Sequence, residues 1–201
     1  MRLIGLCGRS GSGKNECGRI ISDMGIKVID SDEVYRSLTK KGSLLLTELA
    51  VAFGDEIIGS DGELDRKILA GMVYKNNLFD KLNKLTHTHI IKKTLELSQE
   101  LSAKSRGGLV VILAPLLFES GFYKSCEKKV CVISSDADCI KRLQLRDGLT
   151  AKQAKDRLSR QKDNLFLTKN CDYTIENNGG FDSLKKQTEA VFLEILGEAK
   201  I

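Results

Sequence analysis

The sequence predicts an α/β protein in which about five parallel strands form a sheet with helices on both faces. Four short apolar runs support this fold class: "RLIGLC", "IKVID", "LVVILA" and "KVCVIS". "DYTIE" is a fifth strand candidate, and the segments between the runs have helical periodicity. Short buried strands that alternate with helices are typical of a parallel sheet covered on both sides.

The helices follow from periodicity and from their start and stop residues. A helix over 14–24 follows the first strand and is ended by Gly25. The long stretch 32–105 has helical periodicity and almost no strand signal, so it is predicted to be a helical insertion. Further helices are expected over 136–146, 151–162 and 181–196.

Composition excludes several classes of protein. The 201 residues are 41% hydrophobic and 29% charged, and the net charge of +5 is not concentrated in one basic block, so nucleic acid is not an expected partner. The longest apolar run, "LVVILAPLLF", is about half of the length that spans a bilayer. Six cysteines without a CxxC pair and only two histidines argue against a structural metal. We therefore expect a cytoplasmic protein with reduced thiols and no membrane contact.

The segment "LCGRSGSGKNEC" has the spacing of a phosphate-binding loop, in which a first glycine is followed by four residues and then Gly-Lys. It stands between a predicted strand and a predicted helix, which is the context that this motif requires. Backbone N–H groups and the helix N-terminus would bind phosphate, and Lys14 would add a positive charge. The residues expected to contact ATP here are Gly8, Ser10, Gly11, Ser12, Gly13, Lys14 and Asn15.

Asn15 occupies the position at which such loops have a Ser or Thr hydroxyl that binds Mg²⁺. An amide oxygen is also a neutral ligand for a hard cation, but it lies at a different distance from the backbone. One interpretation is that phosphates, waters and a carboxylate hold the Mg²⁺, or that Asn15 binds it directly or through water. The other is that catalysis is impaired.

Acidic and basic side chains complete the predicted site. Asp30 and Asp32 follow the second strand, at the edge of the sheet where ligands bind in α/β proteins, and Asp32 is the candidate general base. Arg142 and Arg146 are four residues apart on one helical face and could stabilise a transferring phosphoryl group. A solvated basic helix surface explains these two arginines equally well. His87 is a further candidate for substrate contact.

Taken together, these motifs resemble the dephospho-coenzyme A kinase family. "LCGRSGSGKN" is similar to the family's opening loop, "VIDSD" to its V-I-D-A-D, and "PLLFE" is identical to the family's signature. The family's remaining patterns match Phe53, Gly54, Asp61, Gly62, Leu64, Arg66, Arg142, Arg146, Asp147, Gln161, Asp172, Ile175, Asn177 and Gly179. The matches occur in the same order and extend over nearly the whole chain.

The resemblance implies a three-layer P-loop kinase core with a helical substrate domain and a helical lid. The expected division is a nucleotide-binding core over 1–31, 106–146 and 165–201, a substrate domain over 32–105, and a lid over 147–164. The implied activity is transfer of the ATP γ-phosphoryl group to the ribose 3′-hydroxyl of dephospho-coenzyme A, with Mg²⁺. The protein is expected to be a monomer or a weak oligomer.

The resemblance also implies roles for individual residues. Lys14, Asp32, Arg142 and Arg146 would be catalytic, and Asn177 and Gly179 would contact adenine. Arg36, His87, Leu117 and Phe118 would contact the acceptor. The chain departs from the family at Cys7, Arg9, Asn15, Glu16 and Thr88. Because a bulky side chain resists positive φ, Arg9 requires an ordinary backbone conformation where the family has glycine.

Two other functions remain open from the sequence alone. One is a different P-loop kinase that acts on a small molecule or nucleotide, which "PLLFE" disfavours. The other is a nucleotide-binding protein without activity, which only Asn15 and Glu16 favour.

Overall fold

A computed structural model describes residues 1–197 of the chain. The strands are β1 (Arg2–Gly8), β2 (Lys27–Asp30), β3 (Leu109–Leu113), β4 (Lys128–Ile133) and β5 (Tyr173–Glu176). The helices are α1 (Lys14–Asp23), α2 (Ser31–Leu38), α3 (Leu44–Phe53), α4 (Arg66–Lys75), α5 (Phe79–Ser102), α6 (Asp136–Asp147), α7 (Ala151–Ser159), α8 (Asn164–Asn170) and α9 (Phe181–Gly197). Short 3₁₀ turns lie at Asp55–Ile57, Arg106–Gly108 and Phe122–Ser125.

The strands form one parallel sheet in the order β2–β3–β1–β4–β5, which confirms the predicted fold class. β1 is central: Leu6 is in register with Leu113 of β3, and Cys7 with Cys131 of β4. Every residue of β1 after Arg2 is buried, which explains why this strand is a continuous apolar run. The phosphate-loop sequence therefore begins at the carboxyl end of the central strand.

Helices α1 and α9 cover one face of the sheet. Their buried side chains, among them Ile21 and Phe192, pack with Ile4, Leu6 and Val111 of the strands. Burial of each such side chain stabilises the fold by about 1.5–3 kcal/mol relative to exposure. The opposite face is covered by the segment after β3, and a Cβ placed on Gly5 would lie 2.7 Å from Leu117 Cδ2. Glycine in β1 therefore lets this segment approach the strand closely.

The chain divides into two compact units. One comprises residues 1–29 together with the described chain from Ser98 onwards, and the other comprises Asp30–Leu97. The second unit has its own core, in which Leu45, Leu49 and Phe53 of α3 pack with Leu69 and Val73 of α4. Its described residues are helical apart from connections and an isolated antiparallel bridge between Ile58 and Leu64. The substrate domain expected from the sequence, 32–105, overlaps this unit.

The predicted helix over 151–162 is shorter in the structure. α7 begins after a capping box in which Thr150 and Gln153 bond reciprocally, and it ends at Ser159. A separate helix that the sequence analysis did not predict, α8, then begins because the Asp163 carboxylate accepts a hydrogen bond from Phe166 N at 2.7 Å. None of the helices within residues 1–197 combines the length and the apolar character needed to cross a membrane.

Candidate active site

The loop between β1 and α1 has two glycines at positions that other residues tolerate poorly. Gly11 and Gly13 have φ of 81° and 104°. A Cβ on Gly13 would lie 2.1 Å from Asn177 Nδ2, and a Cβ on Gly11 would lie 2.7 Å from the carbonyl oxygen of Cys139. Both positive φ and close packing therefore require glycine here. Arg9 has no positive φ, as expected from its side chain.

Two residues from distant parts of the chain hold the carbonyl groups of this loop. Arg142 Nη1 donates to the Gly11 oxygen at 3.0 Å and lies 3.5 Å from the Ser12 oxygen. Asn177 Nδ2 donates to the Ser12 oxygen at 2.8 Å. Arg142 also donates to Ser134 Oγ at 3.1 Å and to the Asn177 oxygen at 3.0 Å. These bonds hold the carbonyl groups of Gly11 and Ser12 in place.

This network assigns Arg142 and Asn177 contacts that the sequence analysis did not foresee. The Nη atoms of Arg142 bond to the phosphate loop, Ser134 and the residue after β5, and its contact with the transferring phosphoryl group stays a prediction. Asn177 is buried and its amide donates to the loop, and its contact with adenine stays a prediction. Ser134 was missed altogether, although a polar residue directly after an apolar strand was a usable signal.

Lys14 opens helix α1 and is only 8% exposed, so its ammonium group is held within the site. Its Nζ donates to Asn15 Oδ1 at 3.0 Å. Asn15 itself is exposed. The first N–H groups of a helix have no intrahelical acceptor, and together with the helix dipole they favour an anion at this end of α1. The loop, the start of α1 and the ammonium group of Lys14 together are suited to bind phosphate.

Arg9 links this loop to the segment expected to be the lid. It is 8% exposed, forms an ion pair with Asp136 at the start of α6, and donates through Nη2 to the Leu158 oxygen of α7 at 3.2 Å. Its Nε is buried without a hydrogen-bond partner in the structure. Nearby, the N–H of Ser10 donates to Gln161 Oε1 at 2.9 Å. Two neighbouring loop residues therefore contact the end of α7 and the residues just after it.

Arg146 lies in the last turn of α6 and is exposed. It forms a bidentate pair with its neighbour Asp147, with Nε–Oδ1 and Nη2–Oδ2 distances of 2.7 and 2.9 Å. Arg157 of α7 contacts the same carboxylate at 3.0 Å. The hydrogen bond from Arg146 is the main cause that lowers the pKa of the Asp147 carboxyl group below its usual value. These three residues join the end of α6 to α7.

The second unit carries three of the predicted site residues. Asp32 is exposed in the first turn of α2, and its N–H donates to Asp30 Oδ1 at 2.8 Å, so Asp30 caps the helix. Arg36 is exposed on the same helix. His87 is half-buried within α5. Its neighbour His89 contacts Glu48 at 2.8 Å.

The other predicted contacts lie after β3 and after β5. Leu117 is completely buried against Gly5, so its side chain belongs to the core. Phe118 is partly exposed and lines a cavity. Gly179 is exposed in the turn before α9.

The described cysteine thiols are structural rather than reactive. All six are free, and four of them are buried. Burial raises the pKa of the Cys17 thiol to about 11 and that of Cys126 to about 12. Within residues 1–197 no three His, Cys, Asp or Glu side chains are grouped so that they could hold a metal ion.

A central parallel strand that leads through a glycine loop and a lysine into a helix defines a P-loop kinase of the α/β class. A shikimate kinase from Acinetobacter baumannii shares this fold, with a TM-score of 0.55 at 16% identity over the whole chain and 96% of that structure. The dephospho-CoA kinase family model matches residues 2–183. The chain belongs to the dephospho-CoA kinase family.

Individual relatives agree with this assignment. A dephospho-CoA kinase from Leptospira interrogans is 34% identical over 200 residues, which cover 98% of this chain and 94% of that protein. The structure of a dephospho-CoA kinase from Campylobacter jejuni has a TM-score of 0.71 at 27% identity, covering 98% of this chain and 99% of that one.

Proposed function

We propose that the protein phosphorylates the ribose 3′-hydroxyl of dephospho-coenzyme A with ATP and releases coenzyme A and ADP. The observation that carries this proposal is the geometry of the phosphate loop. Arg142 and Asn177 bond to its carbonyl groups, and the buried Lys14 stands where the loop enters α1. Family membership supplies the identity of the acceptor. Another P-loop kinase activity is disfavoured by the same membership.

Within this function, the loop binds the β- and γ-phosphates of ATP through its N–H groups and Lys14. Phosphoryl transfer develops negative charge on the transferring oxygens, and a buried ammonium group stabilises that charge. Asp32 takes the proton from the attacking hydroxyl, since it is an exposed carboxylate with its backbone fixed by Asp30. Arg142, beside the loop, and Arg146, at the junction of α6 and α7, are the candidates to stabilise the transferring group.

Mg²⁺ is expected to bind the ATP phosphates, and the protein would supply few of its ligands. Asn15 Oδ1 is a neutral oxygen beside the loop and already accepts a hydrogen bond from Lys14 Nζ. Mg²⁺ commonly keeps several waters and is bound through substrate phosphates with one or two protein oxygens. Asn15 is the residue that would hold it, and the ion would neutralise phosphate charge during transfer.

The direct test is an assay of the purified protein with ATP, Mg²⁺ and dephospho-coenzyme A, in which ADP and coenzyme A are both measured. Equal amounts of the two products are expected, and none after Mg²⁺ is chelated. An Asp32→Asn chain is the control, because an amide cannot accept the proton. ATP binding without coenzyme A formation in the unaltered protein would overturn the proposal.

Replacement of Asn15 by Ser, the residue type usual at this position, tests the metal contact. The substitution removes the bond to Lys14 and provides a hydroxyl at the usual place. We expect the Mg²⁺ concentration for half-maximal rate to fall by about threefold or more, a change of roughly 0.7 kcal/mol. An unchanged Mg²⁺ requirement would show that Asn15 already serves the ion as well as a hydroxyl does.

A further inference from the structure

A cavity of about 400 Å³ lies beside the phosphate loop, within the unit that contains the sheet. Its walls are the segment after β3 and helix α8. The ring of Phe118 has centroid distances of 5.3 Å to both Tyr123 and Phe166, and it meets Phe166 edge-on. The three rings form one connected aromatic cluster. The volume is within the usual range for small-molecule sites.

This cavity, called the groove below, adjoins the phosphate loop. A narrow cleft lined by Gly8 and Arg9 of the loop shares Phe118, Glu119 and Lys162 with the groove. One end of the groove, at Phe118, Glu119 and Lys162, therefore lies near the first residues of the phosphate loop. That position favours the second substrate over an unrelated molecule.

The polar groups of the groove match a particular kind of ligand. Lys162 Nζ lies 4.9 Å from the centre of the Phe166 ring and supplies a cation beside an aromatic surface, whereas Lys129, which also lines the cavity, is paired with Asp172 at 2.8 Å. Glu119 and Asn170 add a carboxylate and an amide. The Lys162 ammonium group suits a diphosphate, the rings suit aliphatic carbons, and the carboxylate and amide suit the N–H and C=O groups of an amide-containing chain.

We infer that this groove binds the pantetheine arm of the acceptor, with Lys162, which lines both the groove and the cleft beside the loop, placed to attract its diphosphate. The inference rests on the proposed function, because it assumes that dephospho-coenzyme A is the acceptor. It assigns recognition of the arm to residues of the sheet-containing unit, in the segment after β3 and in α8. The adenosine end, which carries the reacting hydroxyl, then needs no contact with this groove.

Asn170→Trp is the variant that blocks the groove. Asn170 is exposed at the end of α8 and lines the cavity, and its side chain donates only to the Phe166 oxygen at 2.8 Å. An indole there would occupy the groove without replacing a buried residue. Lys169→Trp is the matched control, since it adds the same ring at the adjacent exposed position, which does not line the cavity.

Two acceptor molecules distinguish binding of the pantetheine arm from binding of the rest of the substrate. Dephospho-coenzyme A has the arm, whereas adenosine 5′-monophosphate has the same ribose hydroxyl without it. We expect Asn170→Trp to raise the KM for dephospho-coenzyme A at least fivefold and to leave the constant for adenosine 5′-monophosphate within twofold. That constant is its KM, or its inhibition constant if it is not phosphorylated. Lys169→Trp should leave both constants within twofold.

A smaller rise for dephospho-coenzyme A, or an equal rise for both acceptors, would overturn the inference. Thermal unfolding establishes that each variant is folded. If Asn170→Trp is not, Phe166→Trp enlarges a ring of the same groove and must meet the same criterion. If the unaltered protein makes no coenzyme A, the proposed function is wrong. If it turns over normally and Asn170→Trp has no effect, only the inference about the groove is wrong.

Discussion

The phosphate loop and the junction of α6 and α7 both depend on arginines, but the two regions are built differently. Arg142 reaches across 131 residues to Gly11, and Asn177 across 165 residues to Ser12. Arg146 pairs with the next residue, Asp147, and Arg157 with a residue ten positions away. The loop is therefore held by long-range bonds that are partly or fully buried, and the junction of α6 and α7 by local and exposed ones.

The difference shows how the setting of an arginine decides its effect. Hydrogen bonds from a charged group to buried carbonyls contribute about 1.5–3 kcal/mol, and their loss leaves the acceptors unsatisfied. Exposed ion pairs contribute about 0–1 kcal/mol. The arginine bonds of the phosphate loop are thus expected to be stronger than those at the junction of α6 and α7.

Arg142→Ala is expected to have the largest effect. It removes the donors to Gly11, Ser134 and Asn177, so the loop loses its fixed shape. We expect the dissociation constant for ATP to rise about tenfold or more, which is about 1.4 kcal/mol, and kcat to fall as well. Equilibrium ATP binding and steady-state kinetics measure the two effects.

Lys141→Ala is the matched control, because that residue is exposed on the same helix and should have little effect on either quantity. An Arg142→Ala chain that binds ATP normally but turns over slowly would show that Arg142 acts on the transferring group, as the sequence first suggested. The phosphate loop would then not depend on Arg142 for its shape.

Arg9→Met tests the connection between the regions. Methionine has a similar length but cannot donate to Leu158 or pair with Asp136. Because the lost bonds are offset by removal of a buried Nε without a partner, we expect the free energy of unfolding to change by less than about 1 kcal/mol. Amide exchange in α7 should become several-fold faster, as hydrogen–deuterium exchange measures.

Asp136→Asn keeps the size of the partner but not its charge, and it should accelerate exchange in α7 to a lesser extent. If amide exchange in α7 is unchanged in the Arg9→Met variant, α7 is held in place without Arg9.

Asp147→Asn is expected to have the smallest effect. The bond from Arg146 lowers the pKa of Asp147, so its stabilisation is present above the ordinary carboxyl pKa and is lost as the pH falls through the lowered value. We expect the variant to be less stable by up to about 1 kcal/mol at neutral pH. The difference should shrink below about pH 4, as urea unfolding at several pH values shows. A difference independent of pH would exclude ionisation as its cause.

The sequence was sufficient for the sheet and the phosphate loop because both depend on local patterns. Apolar runs mark β1 and β3, and the spacing of Gly8, Gly13 and Lys14 marks the loop. Helix α8 was missed because it has only seven residues, too few for a clear period, and depends on the cap at Asp163.

Contacts between distant residues were beyond the sequence argument. The four-residue spacing places Arg142 and Arg146 on one helical face, but it does not reveal which residues each of them contacts. The loop faces Arg142, whereas Arg146 meets its own neighbour. Likewise, "PLLFE" marked Leu117 and Phe118 together, although only Phe118 has exposed surface. The packing of the segment on Gly5 makes this distinction, and no residue spacing encodes it.

The hydrogen bond between Asn177 and Ser12 has a consequence for the order in which the chain folds. The loop occupies residues near the N-terminus, but the groups that fix it come from α6 and from the end of β5. Contacts between residues so far apart in sequence form late, because a long stretch of chain must first be ordered. A nascent chain on the ribosome therefore cannot complete its nucleotide site until Asn177 has been synthesised, so truncated products should not bind ATP.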